Sequence, residues 1–313
     1  MQTALIGTSS LRASRLAYGC WRIAGTAEPR DFDATHEARG REAVLAAVEA
    51  GYTLFDHADI YGQGLCESIF GRVLADVPGL RDRLLIATKC GIRRPNDVPG
   101  APYRYDFSAD YVIASCEGSL RRLGVETIDL YQLHRPDYLM EPDEVAGAFD
   151  ALRRAGKVRE FGVSNCSPSQ VALLRKACPM PLVVNQVEIS LARLSPFEDG
   201  TLEQCLAEGI TPMAWSPLAG GKLGDGAKRL LPSQEGYRTE ALNRELDAVA
   251  RERGVTRTVV ALAWLMRHPS RIVPIVGSVD PSRIREAARA DALTLSREEW
   301  YRLLTAARSA PLP

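Results

Sequence analysis

Four polar residues could carry out acid–base chemistry if the fold brings them together. Asp56 and Tyr61 lie in the segment TLFDHADIYG. Lys89 ends the segment LLIATK, and His134 ends the segment IDLYQLH. A tyrosine hydroxyl has an unperturbed pKa of about 10, and we expect a neighbouring ammonium group to lower that pKa by stabilising the phenolate. The carboxylate would keep the lysine charged, and the histidine would donate a hydrogen bond to a substrate oxygen. Such a set predicts proton donation to an oxygen that is becoming an alkoxide.

That chemistry suggests hydride addition to a carbonyl group. No protein side chain supplies a hydride, so a nicotinamide cofactor is implied. Taken singly, the same residue types have structural explanations. A lone buried tyrosine or histidine is usually a packed, hydrogen-bonded core residue, and a buried lysine can be held by a salt bridge. The functional interpretation therefore depends on the elements that position the four side chains.

Short apolar runs alternate with amphipathic stretches along the whole chain, as expected for strands that are buried on both faces of a parallel sheet. The runs are Leu16–Gly19, Thr53–Asp56, Leu84–Lys89, Ile128–His134, Glu160–Ser164, Val183–Val187, Thr211–Ser216 and Ile272–Gly277. The helical patterns are Glu37–Ala50, Ala109–Leu123, Asp143–Ala155, Pro168–Ala177, Thr201–Glu208, Thr239–Arg253, Thr258–Arg267 and Pro281–Ala290. This rhythm predicts a (β/α)8 TIM barrel in a single domain over residues 1–313. We also expect a short N-terminal β-hairpin and long strand-to-helix loops at 90–107 and 218–236.

In this arrangement, the side chains that could react lie at the carboxyl ends of the strands. In a barrel, the carboxyl ends of the second, third and fourth strands are neighbours, so the four residues named first would converge on one pocket. The later strands also end in polar, aromatic or glycine residues, namely Ser164, Asn165, Gln186, Trp215, Ser216, Gly277 and Ser278. The rival architecture, an open doubly wound sheet, would usually show a G-x-G-x-x-G turn after an early strand, and the sequence has none.

Composition and charge argue against several other function classes. Lys+Arg and Asp+Glu are both 39, so the formal net charge is zero, and nothing favours nucleic acid or an anionic membrane as a partner. The 4 histidines have no paired spacing, and the 7 cysteines are widely spaced without a C-x-x-C motif. We therefore expect no metal site, and reduced thiols in a cytoplasmic protein. We expect no signal peptide and no transmembrane span, and a monomer is the default expectation.

Together these residues resemble the aldo-keto reductase superfamily, and the resemblance covers essentially the whole chain. The segment FDHADIYG is similar to the family's strand-two signature, and the family's catalytic tetrad is matched in order and spacing by Asp56, Tyr61, Lys89 and His134. GKVREFGVSN, NQVEIS, PMAWSPLAGGKL and PIVGS are similar to its cofactor-binding segments. KCGI, DGTLEQ and the closing helix resemble the bacterial branch typified by YdhF-like oxidoreductases. The resemblance implies NADP(H)-dependent reduction of a small aldehyde or ketone to an alcohol, with Tyr61 as general acid.

The resemblance also implies a role for each cofactor-binding position. The nicotinamide carboxamide would be bound by Ser164, Asn165 and Gln186. Trp215 would stack on the nicotinamide ring, and Gly19 and Trp21 match positions near the nicotinamide and the substrate. The loop over the pyrophosphate is matched by Ser216, Leu218, Gly220 and Lys222. The 2′-phosphate region is matched by Gly277, Ser278 and Arg283, and Glu286 matches a contact to the adenine amino group.

The run GSVDPSRIREAA departs from the family pattern at two points. No basic residue flanks Ser278, because Gly277 and Val279 stand there, and Ala287 follows Glu286 where asparagine is usual. Arg283 nevertheless favours NADP(H) over NAD(H), since a guanidinium group binds phosphate through two parallel hydrogen bonds.

Two other classes of protein stay open. One is a cofactor-binding regulatory protein of the same fold, like the potassium-channel β-subunits, although the intact tetrad counts against it. The other is a different β/α-barrel enzyme, such as a metal-dependent hydrolase or isomerase, although the few histidines count against a metal. The sequence leaves the substrate open among sugar, steroid, quinone, pyridoxal-like and natural-product carbonyls. Asp59 and Arg135, which lie beside the tetrad, are predicted to be structural ion-pair partners.

Overall fold

The computed structural model describes residues 1–224 and 230–310. Two short antiparallel pairs lie outside the main sheet: β1 (Thr3–Leu5) with β2 (Arg12–Ser14), and β6 (Ile92–Arg93) with β7 (Arg104–Tyr105). The main sheet is a closed barrel of parallel strands, and its members are β3 (Ala17–Gly19), β4 (Leu54–Asp56), β5 (Leu85–Cys90), β8 (Ile128–Leu133), β9 (Val158–Ser164), β10 (Leu182–Glu188), β11 (Thr211–Trp215) and β12 (Val273–Val276).

The strands follow one another around the barrel in chain order, and β12 pairs with β3 to close it. Each predicted apolar run forms one barrel strand, with ends that differ by no more than about two residues. The predicted (β/α)8 barrel is therefore confirmed. The register places Gly19 opposite Asp56, and Asp56 opposite Ala87, so β3 and β4 end side by side at the carboxyl face and β5 continues beyond them to Cys90.

The predicted N-terminal hairpin is present and covers the amino end of the barrel. Its turn contains Gly7, whose N–H donates to Thr211 Oγ1 at 2.7 Å. Gly7 has a φ of +54°, and a Cβ built there would lie 2.5 Å from the carbonyl oxygen of Val183. Only glycine allows this close approach of the turn to the strand starts.

Helices surround the barrel: α1 (Ala34–Glu49), α2 (Leu65–Asp76), α3 (Ala109–Leu123), α4 (Pro142–Arg154), α5 (Pro168–Ala177), α6 (Thr201–Glu208), α7 (Pro232–Glu235), α8 (Glu240–Arg253), α9 (Arg257–Met266), α10 (Pro281–Ala288) and α11 (Arg297–Arg308). The sequence patterns identify most of these helices but miss α2 and the short α7, and they mention α11 only as a closing helix without bounds. Helix α2 has Gly71 at its centre, which lowers its intrinsic helix propensity. A Cβ at Gly71 would lie 2.6 Å from the carbonyl oxygen of Arg122, so close packing against α3 requires the glycine and overrides the weak local preference.

Apolar side chains fill the barrel interior up to its carboxyl end. Leu54, Ala87, Leu130 and Met213 belong to one buried cluster, which the hairpin residue Ile6 joins from below. A larger cluster lies between the strands and the outer helices. Polar groups are concentrated at the carboxyl end of the strands, where the predicted long loops also begin. Residues 225–229 of the predicted loop 218–236 lie outside the described residues.

Candidate active site

The barrel brings the four residues of the predicted tetrad together. Asp56 ends β4, Lys89 lies in β5, and His134 directly follows β8. These three strands are adjacent in the barrel. Tyr61 lies on the short 3-10 turn Tyr61–Gly64 that follows β4, and its ring centroid is 5.8 Å from that of His134.

Lys89 and Asp56 form a fully buried ion pair below the site. The ammonium group donates to both oxygens of Asp56 at 2.8 Å and to the carbonyl oxygen of His57 at 2.6 Å. These three acceptors match the three protons of the ammonium group. Burial lowers the pKa of Lys89, and the charge and hydrogen bonds of Asp56 oppose that shift. The pair is thus held rigidly, with its hydrogen bonds satisfied.

Tyr61 lies above this pair, with Lys89 Nζ 5.1 Å from the centroid of its ring. Burial, and next the charge of Asp56, raise the pKa of the Tyr61 hydroxyl well above its ordinary value. The expectation that the lysine lowers this pKa is therefore wrong. The physical reason is that Lys89 is neutralised at short range by Asp56, while the phenol itself is buried. Tyr61 consequently keeps its proton at neutral pH.

His134 is buried and uncharged in this setting. Burial, and next the positive charges of Lys89 and Arg135, lower the pKa of His134 well below its ordinary value. Its Nδ1 atom is buried without a hydrogen-bond partner among the described residues. Nε2 is therefore the ring nitrogen that can meet a substrate oxygen, and a neutral imidazole with a proton on Nε2 would donate a hydrogen bond to it.

The three residues predicted to bind a carboxamide form one hydrogen-bonded group. Ser164 Oγ donates to the carbonyl oxygen of Gln186 at 2.8 Å, and Asn165 Nδ2 donates to Ser164 Oγ at 2.8 Å. Gln186 Nε2 donates to Asp56 Oδ1 at 2.8 Å. The predicted cofactor amide site is thereby joined directly to the tetrad.

Trp215 and Arg135 lie beside this group. The indole N–H of Trp215 donates to Asn165 Oδ1 at 2.9 Å, and the Arg135 guanidinium lies 5.4 Å from the Trp215 ring centroid. The prediction that Asp59 and Arg135 are ion-pair partners is wrong, because neither has a salt bridge among the described residues. Asp59 Oδ2 instead accepts from Ser115 Oγ at 2.7 Å and from the Tyr111 hydroxyl at 3.2 Å.

A single cavity of about 470 Å³ contains most of the predicted site. The predicted residues that line it are Gly19, Trp21, Asp56, Tyr61, His134, Ser164, Asn165, Gln186, Trp215, Ser216, Leu218, Gly220, Gly277, Ser278, Arg283 and Glu286. Lys89 lies beneath the lining. The structure does not bring Lys222 to the cavity, because its ammonium donates to the carbonyl oxygens of Tyr237 at 2.8 Å and Glu235 at 3.1 Å. Lys222 therefore fastens one part of the loop to another.

Sequence reasoning missed several residues that line the same cavity. They are Arg22, Ile60, Ile92, Arg135, Pro217, Gly221, Gly224, Leu231, Thr258, Ile275, Val276 and Ala287. Arg135 directly follows His134 at a strand end, and that position alone indicates that it could line the cavity. The apolar members have no signal of this kind, since an isoleucine at a strand end is also typical of core packing.

The part of the cavity that follows β12 offers groups that suit a phosphate. Arg283 and Ser278 line it, and a Cβ added to Gly277 would meet nothing within 4 Å. Asp280 caps α10 by accepting from the backbone N–H groups of Ser282 and Arg283. Glu286 accepts from Thr256 Oγ1 at 2.8 Å and also pairs with a neighbouring arginine, Arg289.

The donor set fits a nicotinamide dinucleotide. The amide groups of Asn165 and Gln186, the hydroxyl group of Ser164, the aromatic ring of Trp215 and the guanidinium group of Arg283 belong to residues that line one cavity. Among residues 1–224 and 230–310, no group of three or more histidine, cysteine, aspartate or glutamate side chains could hold a metal ion. No helix in that part of the chain is long and apolar enough to cross a membrane.

Residues 15–307 match the aldo/keto reductase family. The chain belongs to this family. It is 43% identical to a 6-dehydroglucose reductase of Novosphingobium aromaticivorans, over 98% of this chain and 96% of the relative. It is 39% identical to the oxidoreductase YdhF of Escherichia coli, over 96% of this chain and 95% of that protein. The predicted resemblance to the YdhF-like branch is therefore confirmed.

A solved aldo/keto reductase has the same fold. The glycerol dehydrogenase AKR11B4 from Gluconobacter oxydans superposes with a TM-score of 0.84 at 27% sequence identity. The superposition covers 99% of this chain and 97% of that one. Membership of the family and this fold identify the protein as an oxidoreductase that acts on carbonyl groups.

Proposed function

We propose that this aldo/keto reductase reduces an aldehyde or ketone with NADPH, and that Tyr61 donates the proton. The observation that carries the proposal is the juxtaposition of a protonated Tyr61 and a neutral His134 above the buried Lys89–Asp56 pair. Both side chains line the cavity that also contains the predicted cofactor residues. An acid that keeps its proton and a neutral hydrogen-bond donor are the two groups that a developing alkoxide needs.

A bound nicotinamide cofactor would supply the hydride for the carbonyl carbon. Ser164, Asn165 and Gln186 would hold its carboxamide, and Trp215 offers a flat face to its ring. His134 Nε2 would orient the carbonyl oxygen, and Tyr61 would pass its proton to that oxygen. The Lys89–Asp56 pair would keep the position of Tyr61 fixed, because its hydrogen bonds immobilise the ammonium group that packs against the Tyr61 ring.

The preference for NADPH over NADH is proposed on the basis of Arg283. Arg283 lines the cavity, as does Ser278. A 2′-phosphate placed there would accept hydrogen bonds from both groups, whereas the 2′-hydroxyl of NADH would make weaker ones. Open space at Gly277 leaves room for the phosphate group.

We propose 6-dehydroglucose as the first substrate to assay, since a relative with 43% identity over nearly the whole chain carries that name. We also propose a cytoplasmic location, which is supported by seven free and buried cysteines. A monomer remains our prediction, and light scattering of the purified chain would check it.

The test follows NADPH oxidation with 6-dehydroglucose and with propionaldehyde, in the wild type and in Tyr61→Phe. Loss of a general acid typically slows turnover by about 10²–10⁴-fold, and we expect a loss in that range. The Kd for NADPH should stay within about threefold of the wild type, because the phenol hydroxyl lies at the substrate end of the cavity. Tyr301→Phe, on α11 and 38% exposed, is the matched control and should change neither value.

Two results would contradict the proposal. Wild-type turnover in Tyr61→Phe would show that another group donates the proton. Tight NADPH binding without turnover of any carbonyl compound would favour a cofactor-binding regulatory protein. The same assays with NADH in place of NADPH would measure the proposed cofactor preference.

A further inference from the structure

Arg135 has an unusual position for a charged residue. It follows His134 at the carboxyl end of β8, is half-buried, and lines the catalytic cavity. Its guanidinium lies 5.4 Å from the Trp215 ring centroid, but its N–H groups have no hydrogen-bond or salt-bridge partner among the described residues. A guanidinium group carries five N–H donors, and because no described protein group accepts from them, those of Arg135 are available to a ligand bound in the cavity.

The charge of Arg135 acts on both proposed catalytic side chains. The positive charge of Arg135 lowers the pKa of His134, and it opposes the rise in the pKa of Tyr61. It also acts on Tyr103, whose side chain is 53% exposed on the loop above the site. Arg135 lines the same cavity as Tyr61 and His134, so a substrate bound at those two groups would lie within the same space as its side chain.

No carboxylate of the described lining is available to neutralise this charge. Asp56 is held by Lys89 and Gln186, and Glu286 on α10 is held by Thr256 and Arg289. Trp21 also lines the cavity, is 43% exposed, and has its ring centroid 6.4 Å from that of Tyr61. The cavity thus combines an aromatic surface beside Tyr61 with charged donors that no described protein group accepts.

We infer that Arg135 is a specificity-determining residue that selects carbonyl substrates with hydrogen-bond-accepting oxygens on the carbons near the carbonyl group. Hydroxyl and carboxylate oxygens share this chemistry: a guanidinium group binds a carboxylate through two parallel N–H donors, and it can donate single hydrogen bonds to hydroxyl oxygens. A plain aliphatic aldehyde would leave the same donors without partners. The inference rests on the proposed carbonyl reduction at Tyr61.

Two matched pairs of aldehydes test the inference in the full-length chain with NADPH. Glyceraldehyde and propionaldehyde share a three-carbon chain and differ in hydroxyl groups. Succinic semialdehyde and butyraldehyde share a four-carbon chain and differ in a carboxylate group. The comparison within each pair cancels any effect of Arg135 on Tyr61 or His134, because such an effect acts on both members equally.

Arg135→Met keeps the length and the apolar contact of the side chain and removes the donors. A hydrogen bond to a charged group is worth ~1.5–3 kcal/mol, so kcat/KM for the oxygenated member should fall roughly 10–100-fold. The aliphatic member should change by less than about threefold. A loss only for glyceraldehyde would assign hydroxyl recognition, and a loss only for succinic semialdehyde would assign recognition of an anion. Arg135→Lys should restore part of the loss for the carboxylate, because the charge remains.

The controls separate this inference from the proposed function. Arg154→Met, at a position on α4 whose side chain is 80% exposed, should leave both pairs unchanged. If the wild type reduces propionaldehyde and Tyr61→Phe does not, the proposed function stands whatever Arg135 does. Equal losses within each pair in Arg135→Met would overturn the selection of oxygenated substrates. A rise in the Kd for NADPH that accounts for the loss would overturn it too, since Arg135 would then serve the cofactor.

Discussion

At the scale of one residue, Lys89 shows how hydrogen bonds and an opposite charge stabilise a buried charge. Its ammonium group has as many protein acceptors as protons, and two of those acceptors belong to the oppositely charged Asp56. Removing either partner would leave an uncompensated charge in a dry site. The same arrangement keeps the ammonium charge from acting fully on Tyr61. The tyrosine consequently stays protonated and is suited to give a proton to a substrate oxygen.

In carbonyl reduction, kcat/KM should not change with pH in the range where an ordinary histidine titrates. Burial and the charges of Lys89 and Arg135 lower the pKa of His134 well below its ordinary 6.5. Burial raises the pKa of Tyr61 well above its ordinary 10.0. Both groups therefore keep one protonation state from pH 6 to pH 9, the range over which kcat/KM should be measured. A transition with a midpoint near pH 6.5 would show that His134 titrates and would contradict this account.

Asp59 should make stability depend on pH in a direction opposite to that of most carboxylates. Burial raises its pKa from 3.8 to about 6, and its Oδ1 atom has no partner among the described residues. Between pH 4 and 6 the folded state then holds more protons than the unfolded state, so this group lowers stability as the pH rises through that window. A shift of two pKa units corresponds to roughly 2–3 kcal/mol. Asp59→Asn keeps an acceptor for Ser115 and removes the charge.

Urea unfolding at pH 4, 5, 6 and 7 measures this contribution. The free energy of unfolding of Asp59→Asn relative to the wild type should increase from pH 4 to pH 7 and change little above that. Asp31→Asn, at a side chain that is 61% exposed, serves as the matched control and should show no such trend. A difference that stays constant with pH would mean that Asp59 does not titrate in this range.

At the scale of elements, glycines set how closely helices approach the site. Gly40 lies in α1, and a Cβ built there would lie 2.2 Å from the carbonyl oxygen of Ile23. Gly147 lies in α4, and a Cβ there would meet nothing within 4 Å. We predict that Gly40→Ala lowers the free energy of unfolding by about 2 kcal/mol through overpacking. Gly147→Ala should raise it by about 0.5–1 kcal/mol because alanine favours a helix.

Denaturant midpoints of the two variants provide the measurement. Ile23 follows Trp21 and Arg22, which line the cavity, so Gly40→Ala should also raise KM for the carbonyl substrate. Stabilisation by both substitutions would show that the contact at Ile23 relaxes without strain.

The properties of single strands and helices also explain which features the sequence could predict. Apolar runs of barrel strands are strong local signals, and Asp56, Lys89 and His134 are positioned directly by the strands that they end or belong to. The helix α2 was missed because its fit around Gly71 is a property of packing against Arg122 on α3. Sequence position alone carries no information about such long-range contacts.

The sequence could not predict the direction in which a side chain points or the shift of its pKa. Spacing placed Lys222 on the correct loop, but its ammonium points to the carbonyl oxygens of Glu235 and Tyr237. Spacing also placed Lys89 near Tyr61, but the direction of the tyrosine pKa shift depends on burial and on the partner of the lysine. The sequence predicts an ion-pair role for Arg135, because its lack of a carboxylate neighbour is visible only in three dimensions.

At the scale of the whole molecule, one cavity connects distant parts of the chain. Its lining extends from Gly19 on β3 to Glu286 on α10, with the strand ends of β8 and β11 between them. A cofactor bound there would contact elements from nearly the full length of the barrel. Binding should therefore stabilise the protein as one unit, which also tests the prediction of a single domain.

We predict a single thermal transition that NADPH shifts upward more than NADH does. A ligand at about 100 times its Kd adds roughly 2.7 kcal/mol to the free energy of unfolding, which raises the Tm of a chain of this size by roughly 4 °C. Arg283→Gln should reduce the shift caused by NADPH and leave the shift caused by NADH nearly unchanged, because it removes the proposed phosphate contact. Scanning calorimetry and circular dichroism would measure both shifts at matched ligand concentrations. Two transitions, of which NADPH moves only one, would contradict a single domain. An undiminished NADPH shift in Arg283→Gln would exclude Arg283 as the residue that selects the cofactor.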